Sequence, residues 1–188
     1  MKKPLMLLVL CLALVLSAPV ASATEDAVAL AQPMLGAMDS LMRAAQEIAS
    51  NPAGSDYGWT ALYLMGVNFG DDYPGVERTD DGGVRVPAPA MRAFAGALLG
   101  WSELADIPQS MADSIQHDAA DDSYRLAGSD IGDSSTRIDR AEQAADGTLT
   151  VYAVMESMDG ERLAEASFKL TPNPQPDALL PYRVEVMP

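Results

Sequence analysis

The chain has 188 residues, of which 48% are apolar, and a formal net charge of −15. This length and composition suit one globular domain with a sizeable core. The excess of 27 acidic over 12 basic residues repels nucleic acid phosphates and anionic lipids, so neither is an expected partner.

Residues 1–23 have the pattern of a secretory signal peptide. Lys2 and Lys3 precede an apolar run over residues 5–16, and small residues form a cleavage site after Ala23. The run is shorter than the roughly 20 residues that span a bilayer. We therefore expect a bacterial protein that a Sec-type signal exports to the periplasm or the medium, with no membrane anchor after cleavage.

Cys11 is the only cysteine of the chain, and it lies in the middle of the apolar run. Lipid attachment needs a cysteine at the end of such a run, after a small residue, so a lipoprotein anchor is not expected. Cleavage would remove Cys11, which excludes disulfides and thiol catalysis from the mature protein. Residues 24–188 are then expected to form a single α+β domain.

The first part of that domain, residues 24–122, is expected to be mainly helical. Apolar residues recur there at helical spacing, and a proline opens the last segment, as is common at helix N-termini. A small hairpin is predicted over residues 76–86, whose centre is rich in Asp and Gly. The four predicted helices are Met34–Ala49, Trp59–Phe69, Met91–Leu104 and Pro108–His117.

Residues 123–188 have the alternating pattern of antiparallel strands with one buried face. The predicted strands are Tyr124–Ala127, Ser135–Gln143, Thr148–Glu156, Arg162–Thr171 and Tyr182–Val186. Helices followed by strands give an α+β fold, with the N-terminal helices packed on a curved antiparallel sheet of about four strands. This order of elements resembles a cystatin-like or NTF2-like cone, although no motif accompanies the likeness.

Several catalytic arrangements are missing from the sequence. Lys169 is the only lysine after residue 23, and Ala166 stands where a Ser-x-x-Lys motif needs its serine. No Gly-Lys-Ser or Gly-Lys-Thr phosphate loop is present, and one histidine cannot make a zinc site of several His or Cys ligands. We therefore expect a non-enzymatic protein without a cofactor.

One short segment concentrates polar groups that could form a site. His117, the only histidine, is followed by Asp118, Asp121 and Asp122. A carboxylate beside the histidine could orient it for catalysis, and the aspartates together with Asp130 and Asp133 could bind calcium. The same residues could instead be a solvated helix end and turn. This acidic segment is a candidate binding site, and no catalytic residue is assigned.

Three functions remain open from the sequence. The first is an accessory protein of the bacterial cell envelope that contacts a protein partner through an acidic surface or a sheet edge. The second is a small-molecule-binding domain or enzyme with an apolar pocket between helices and sheet. The third is a calcium-stabilised structural protein. The pocket of the second would be lined by Trp59, Tyr63, Phe94 and Trp101.

Overall fold

A computed structural model of the chain describes residues 24–51, 56–128 and 132–188. The predicted signal peptide and Asp130 lie outside these ranges. None of the helices in the described ranges combines the length and the apolar character that crossing a membrane would require.

The described residues contain four α-helices, which all end at or before Leu98. Asp56 precedes α3 and accepts a hydrogen bond from Trp59 N at 2.9 Å, which caps the first turn. α4 has Pro89 in its first turn, where a missing N–H costs no helical hydrogen bond. The helices are α1 (Thr24–Ala31), α2 (Leu35–Ser50), α3 (Tyr57–Phe69) and α4 (Ala88–Leu98).

In the part of the chain that the structure describes, eight strands form two antiparallel sheets of four strands each. The small sheet has the order β1-β2-β4-β3, and the large sheet has the order β5-β6-β7-β8. The small sheet consists of β1 (Glu77–Arg78), β2 (Val84–Pro87), β3 (Ile115–Asp118) and β4 (Ser123–Leu126). The large sheet consists of β5 (Ser134–Gln143), β6 (Leu149–Ser157), β7 (Arg162–Pro172) and β8 (Tyr182–Met187).

The helices and both sheets share one hydrophobic core. α1 and α2 pack on the large sheet, α3 packs between α2 and α4, and α4 contacts both β8 and the small sheet. Leu126 of the small sheet and Phe168 of the large sheet belong to the same buried cluster. Removal of this apolar surface from water is the main force that holds the two sheets together.

A buried polar network attaches α2 to the large sheet. Asp39 is 2% exposed and accepts hydrogen bonds from Arg43 Nε at 2.7 Å and from Thr136 Oγ1 at 2.6 Å. Arg43 Nη2 also donates to the carbonyl oxygen of Ser134 at 2.8 Å. Because the buried carboxylate of Asp39 has close partners, the cost of removing it from water is offset.

The structure confirms the α+β class and the antiparallel sheets, whereas the cystatin-like or NTF2-like cone stays a prediction. The predicted helix Pro108–His117 is wrong. A single 3₁₀ turn at Gln109–Met111 is followed by β3, which pairs with β4. Cross-strand hydrogen bonds with β4, the next strand along the chain, therefore override the local helix signal of Pro108.

The predicted helix Met91–Leu104 is too long at its C-terminal end. α4 ends at Leu98, and Gly100 has a φ of +68°, which glycine adopts without the strain of a side chain. The chain then folds back, and Trp101 N donates to Ala95 O at 3.2 Å. Trp101 thereby packs so closely on α3 that a Cβ on Gly58 would lie 2.5 Å from its ring.

Candidate functional site

The acidic segment lies on the hairpin formed by β3 and β4. His117 is in the middle of β3, opposite Tyr124 on β4, and the two ring centroids are 4.8 Å apart. His117 therefore does not lie at a helix C-terminus, which was one of the interpretations that the sequence allowed. Asp122 has a positive φ of 51°, which aspartate tolerates better than most residues in a tight connection.

The aspartates of this segment bond to groups of the protein itself. Asp118 Oδ1 accepts from Ala120 N at 2.9 Å, within the connection. Asp122 contacts His117 Nε2 at 3.2 Å and Arg92 Nη2 at 3.6 Å. These contacts stabilise the connection between β3 and β4 and give the aspartates a structural role.

Asp121 belongs to a charged surface on the small sheet. Arg85 and Arg125 face each other across β2 and β4, and such like charges are unfavourable unless they are compensated. Asp121 accepts a hydrogen bond from Arg85, and Asp81 accepts one from Arg125. Ser123 Oγ also donates to Asp121 Oδ1, at 2.6 Å.

Asp81 has the most perturbed carboxyl group of this surface. The hydroxyl of Thr79, the guanidinium of Arg125 and the N–H of Gly83 donate to it and lower its pKa to about 2. Hydrogen bonds to the ionised form are the main cause of this shift. The charges of this surface are thus matched within the protein.

The histidine hairpin does not have the arrangement of a catalytic triad. The hydroxyl of Ser123 is directed to Asp121, so it does not donate to His117. Within residues 24–51, 56–128 and 132–188, no three carboxylate or histidine groups converge where they could hold a metal ion. Asp133 lies at the start of the large sheet, where its carbonyl oxygen accepts from Met158 N at 2.9 Å, and not beside Asp118.

β3 forms a free edge of the small sheet. It is the last strand in the order β1-β2-β4-β3, and its register with β4 has no bulge. Ser114 O accepts from Ala127 N at 2.9 Å, and hydrogen-bonded pairs alternate along an antiparallel ladder. The backbone N–H and C=O groups of Ile115 and His117 therefore point away from β4.

The four aromatic residues predicted to line a pocket lie in different surroundings. Trp59 is buried beside Trp101, with ring centroids 6.2 Å apart, and its Nε1 donates to Asp106 O at 3.0 Å. Phe94 is fully buried against Tyr73. The hydroxyl of Tyr63 donates to Ala127 O at 2.8 Å. Only Trp101 of the four borders the cleft described next.

An open cleft of about 540 Å³ lies between α4 and the loop that joins β7 to β8. One side of α4 borders the cleft with small residues, of which Ala93 and Gly96 are half-buried and Ala97 is buried. Trp101 borders the same cleft, and residues 173–180 of the loop form the opposite wall. No sequence pattern predicts this cleft, because the two segments that border it are about 80 positions apart in the chain.

The α4 cleft also has charged groups. Arg92 extends from α4, Arg183 from β8 and Asp177 from the loop. Arg92 is already within 3.6 Å of Asp122. The volume of the cleft is in the range of small-molecule sites, which is roughly 300–1,000 Å³.

Comparisons of this chain with models of protein families, with curated proteins and with solved structures found no match.

Proposed function

We propose that this chain is an exported, non-enzymatic binding protein of the bacterial cell envelope. It holds a protein partner by adding an extended segment of that partner to the edge of β3. In this mode, main-chain hydrogen bonds supply affinity, and side chains on alternate positions supply specificity.

The observation that carries the proposal is the pair of outward-directed peptide groups on β3. Ile115 and His117 both direct their N–H and C=O groups away from β4. Ile115 is only 1% exposed, whereas His117 is exposed, so His117 offers the N–H and C=O groups that an incoming strand would pair with. No other described strand lies on that side of β3.

Two acidic residues beside β3 indicate which residues the partner segment should carry. Asp113 and Asp118 flank the edge, both are exposed, and neither has a cationic partner within 4.0 Å among the described residues. Asp113 lies in the turn before β3, and Asp118 is the last residue of the strand. The partner segment therefore carries Lys or Arg near both of its ends, and the net charge of −15 attracts it.

The test uses a displayed library of random linear peptides selected on residues 24–188. We expect the selected peptides to be extended, with basic residues at both ends. His117→Pro removes the outward N–H without removing a hydrogen bond to β4, and it should weaken binding about tenfold or more. His117→Ala keeps the N–H and should bind like the unaltered protein.

Two results would contradict the proposal. One is a selection that yields no basic extended peptide. The other is an equal loss of binding in His117→Pro and His117→Ala, because the side chain and not the backbone would then carry the interaction. Thermal unfolding of both variants shows whether the fold is retained.

A further inference from the structure

Arg183 differs from the other cationic side chains of the described residues. Eight arginines and Lys169 each lie within 4.0 Å of an acidic group. Arg183 has no such partner, although the chain has 27 acidic residues. An exposed guanidinium that stays unpaired in so acidic a protein is available to an external carboxylate.

Arg183 borders the α4 cleft, where a ligand can contact more than the guanidinium. The cleft follows α4 from Pro89 to Ala97, which is about 12 Å of helix. That length accommodates about three to four residues of extended peptide. The small residues of α4 and the ring of Trp101 offer apolar surface to the ligand's side chains.

The net charge of the protein favours some carboxylate-bearing ligands over others. A net charge of −15 repels a free anion, but it does not repel a ligand whose own charges cancel. Asp177 borders the same cleft and also lacks a cationic partner among the described residues. The cleft thus offers one free cation and one free anion to a ligand that carries both.

We propose that the α4 cleft binds a short apolar peptide with free termini. The terminal carboxylate accepts hydrogen bonds from Arg183, and the terminal ammonium contacts Asp177. The side chains of the peptide pack on the small residues of α4 and on Trp101. This site is separate from the β3 edge, and its ligand differs from the basic segment proposed there.

The probe is tri-alanine, with two blocked forms as controls. Amide NMR spectra of residues 24–188 would follow titration with tri-alanine, with N-acetyl-tri-alanine and with tri-alanine amide. We expect saturable shifts at residues 89–97 and 173–183 with tri-alanine, with a dissociation constant of about a millimolar or lower. Either blocked form should bind about tenfold more weakly, because one charged contact is lost.

Matched variants separate the local contacts from the change in total charge. Arg183→Gln and Asp177→Asn should each weaken tri-alanine binding about tenfold. Arg162→Gln and Asp159→Asn make the same charge changes outside the cleft and should bind like the unaltered protein. His117→Pro should also leave this binding unchanged, which distinguishes it from the β3 interaction.

The proposal is overturned by any of three results. Tri-alanine could fail to bind saturably, the blocked peptides could bind as well as the free one, or Arg162→Gln could lose as much affinity as Arg183→Gln. Amide spectra of each variant verify that a loss of binding is not a loss of fold.

Discussion

The two sheets have the same number of strands, but their edges are protected differently. In the large sheet, β5 has a register shift between Ile138 and Arg140 and carries charged side chains along its length. A bulge and charges are common devices against pairing with another chain. In the small sheet, β3 pairs with β4 without a register shift or bulge.

This difference fits a supporting role for the large sheet and the recognition role proposed above for the small sheet. The large sheet has strands of 6 to 11 residues, and α1 and α2 cover one of its faces. The small sheet has strands of 2 to 4 residues, and matched charges cover its exposed side. We infer that the large sheet carries most of the stability, whereas the small sheet presents a backbone edge to a partner.

Asp39→Ala should have the largest effect on stability, because it removes a buried carboxylate that accepts hydrogen bonds from both Arg43 and Thr136. The free energy of unfolding should fall by about 3–5 kcal/mol, measured by urea denaturation. Asp139→Ala removes an exposed carboxylate that contacts Arg137 on the same sheet and should change little. Equal effects of the two changes would contradict a structural role for the buried network.

A core truncation in either sheet should destabilise the whole protein. Phe168→Ala should lower the free energy of unfolding by about 3–5 kcal/mol, and Leu126→Ala by about 2–5 kcal/mol. Because both residues belong to one buried cluster, each variant should unfold in one transition by fluorescence and by circular dichroism. Two separate transitions in Leu126→Ala would mean that the small sheet unfolds independently.

The charges on the small sheet should give a modest dependence of stability on pH. The native pKa of Asp81 is about 2, below the value of about 3.9 for an unfolded chain. Its contribution is therefore fully present above about pH 4 and is lost as the pH falls through about 2. Urea midpoints at several pH values should show Asp81→Asn less stable than the unaltered protein at pH 5.

The difference between Asp81→Asn and the unaltered protein should shrink toward pH 2. A difference that stays constant over that interval would mean that the ionisation of Asp81 does not contribute to stability.

Calcium should have the smallest effect. Asp121 and Asp122 already contact arginines, so a cation would have to displace an existing ion pair. The melting temperature should be the same in chelator and in millimolar calcium, as scanning calorimetry would measure. A rise in calcium would support the calcium-stabilised alternative instead.

The strands of the large sheet could be predicted because alternation is a local signal. Leu149, Val151, Ala153 and Met155 are buried on one face of β6, as the pattern indicated. The strand β3 could not be predicted in this way, because Ile115 is its only buried residue. Its extended conformation depends on pairing with β4, which the residues of β3 do not encode.

The candidate sites also depend on contacts that local sequence patterns do not predict. The sequence drew attention to His117 and the aspartates after it, but their ion pairs involve Arg85 and Arg92, more than 20 positions away. The outward direction of Arg183 follows from alternation in β8. Its place beside α4 and its lack of an acidic partner depend on tertiary packing, which a single sequence does not reveal.

Amide hydrogen exchange at β3 is the most direct test of the proposed function. In the free protein, the N–H group of the exposed His117 should exchange fast, whereas that of Gln116, bonded to β4, should exchange slowly. Binding of a selected basic peptide should slow exchange at His117, because the added strand takes up that group. If exchange at His117 stays fast while the peptide is bound, the partner does not pair with this edge and the proposal is wrong.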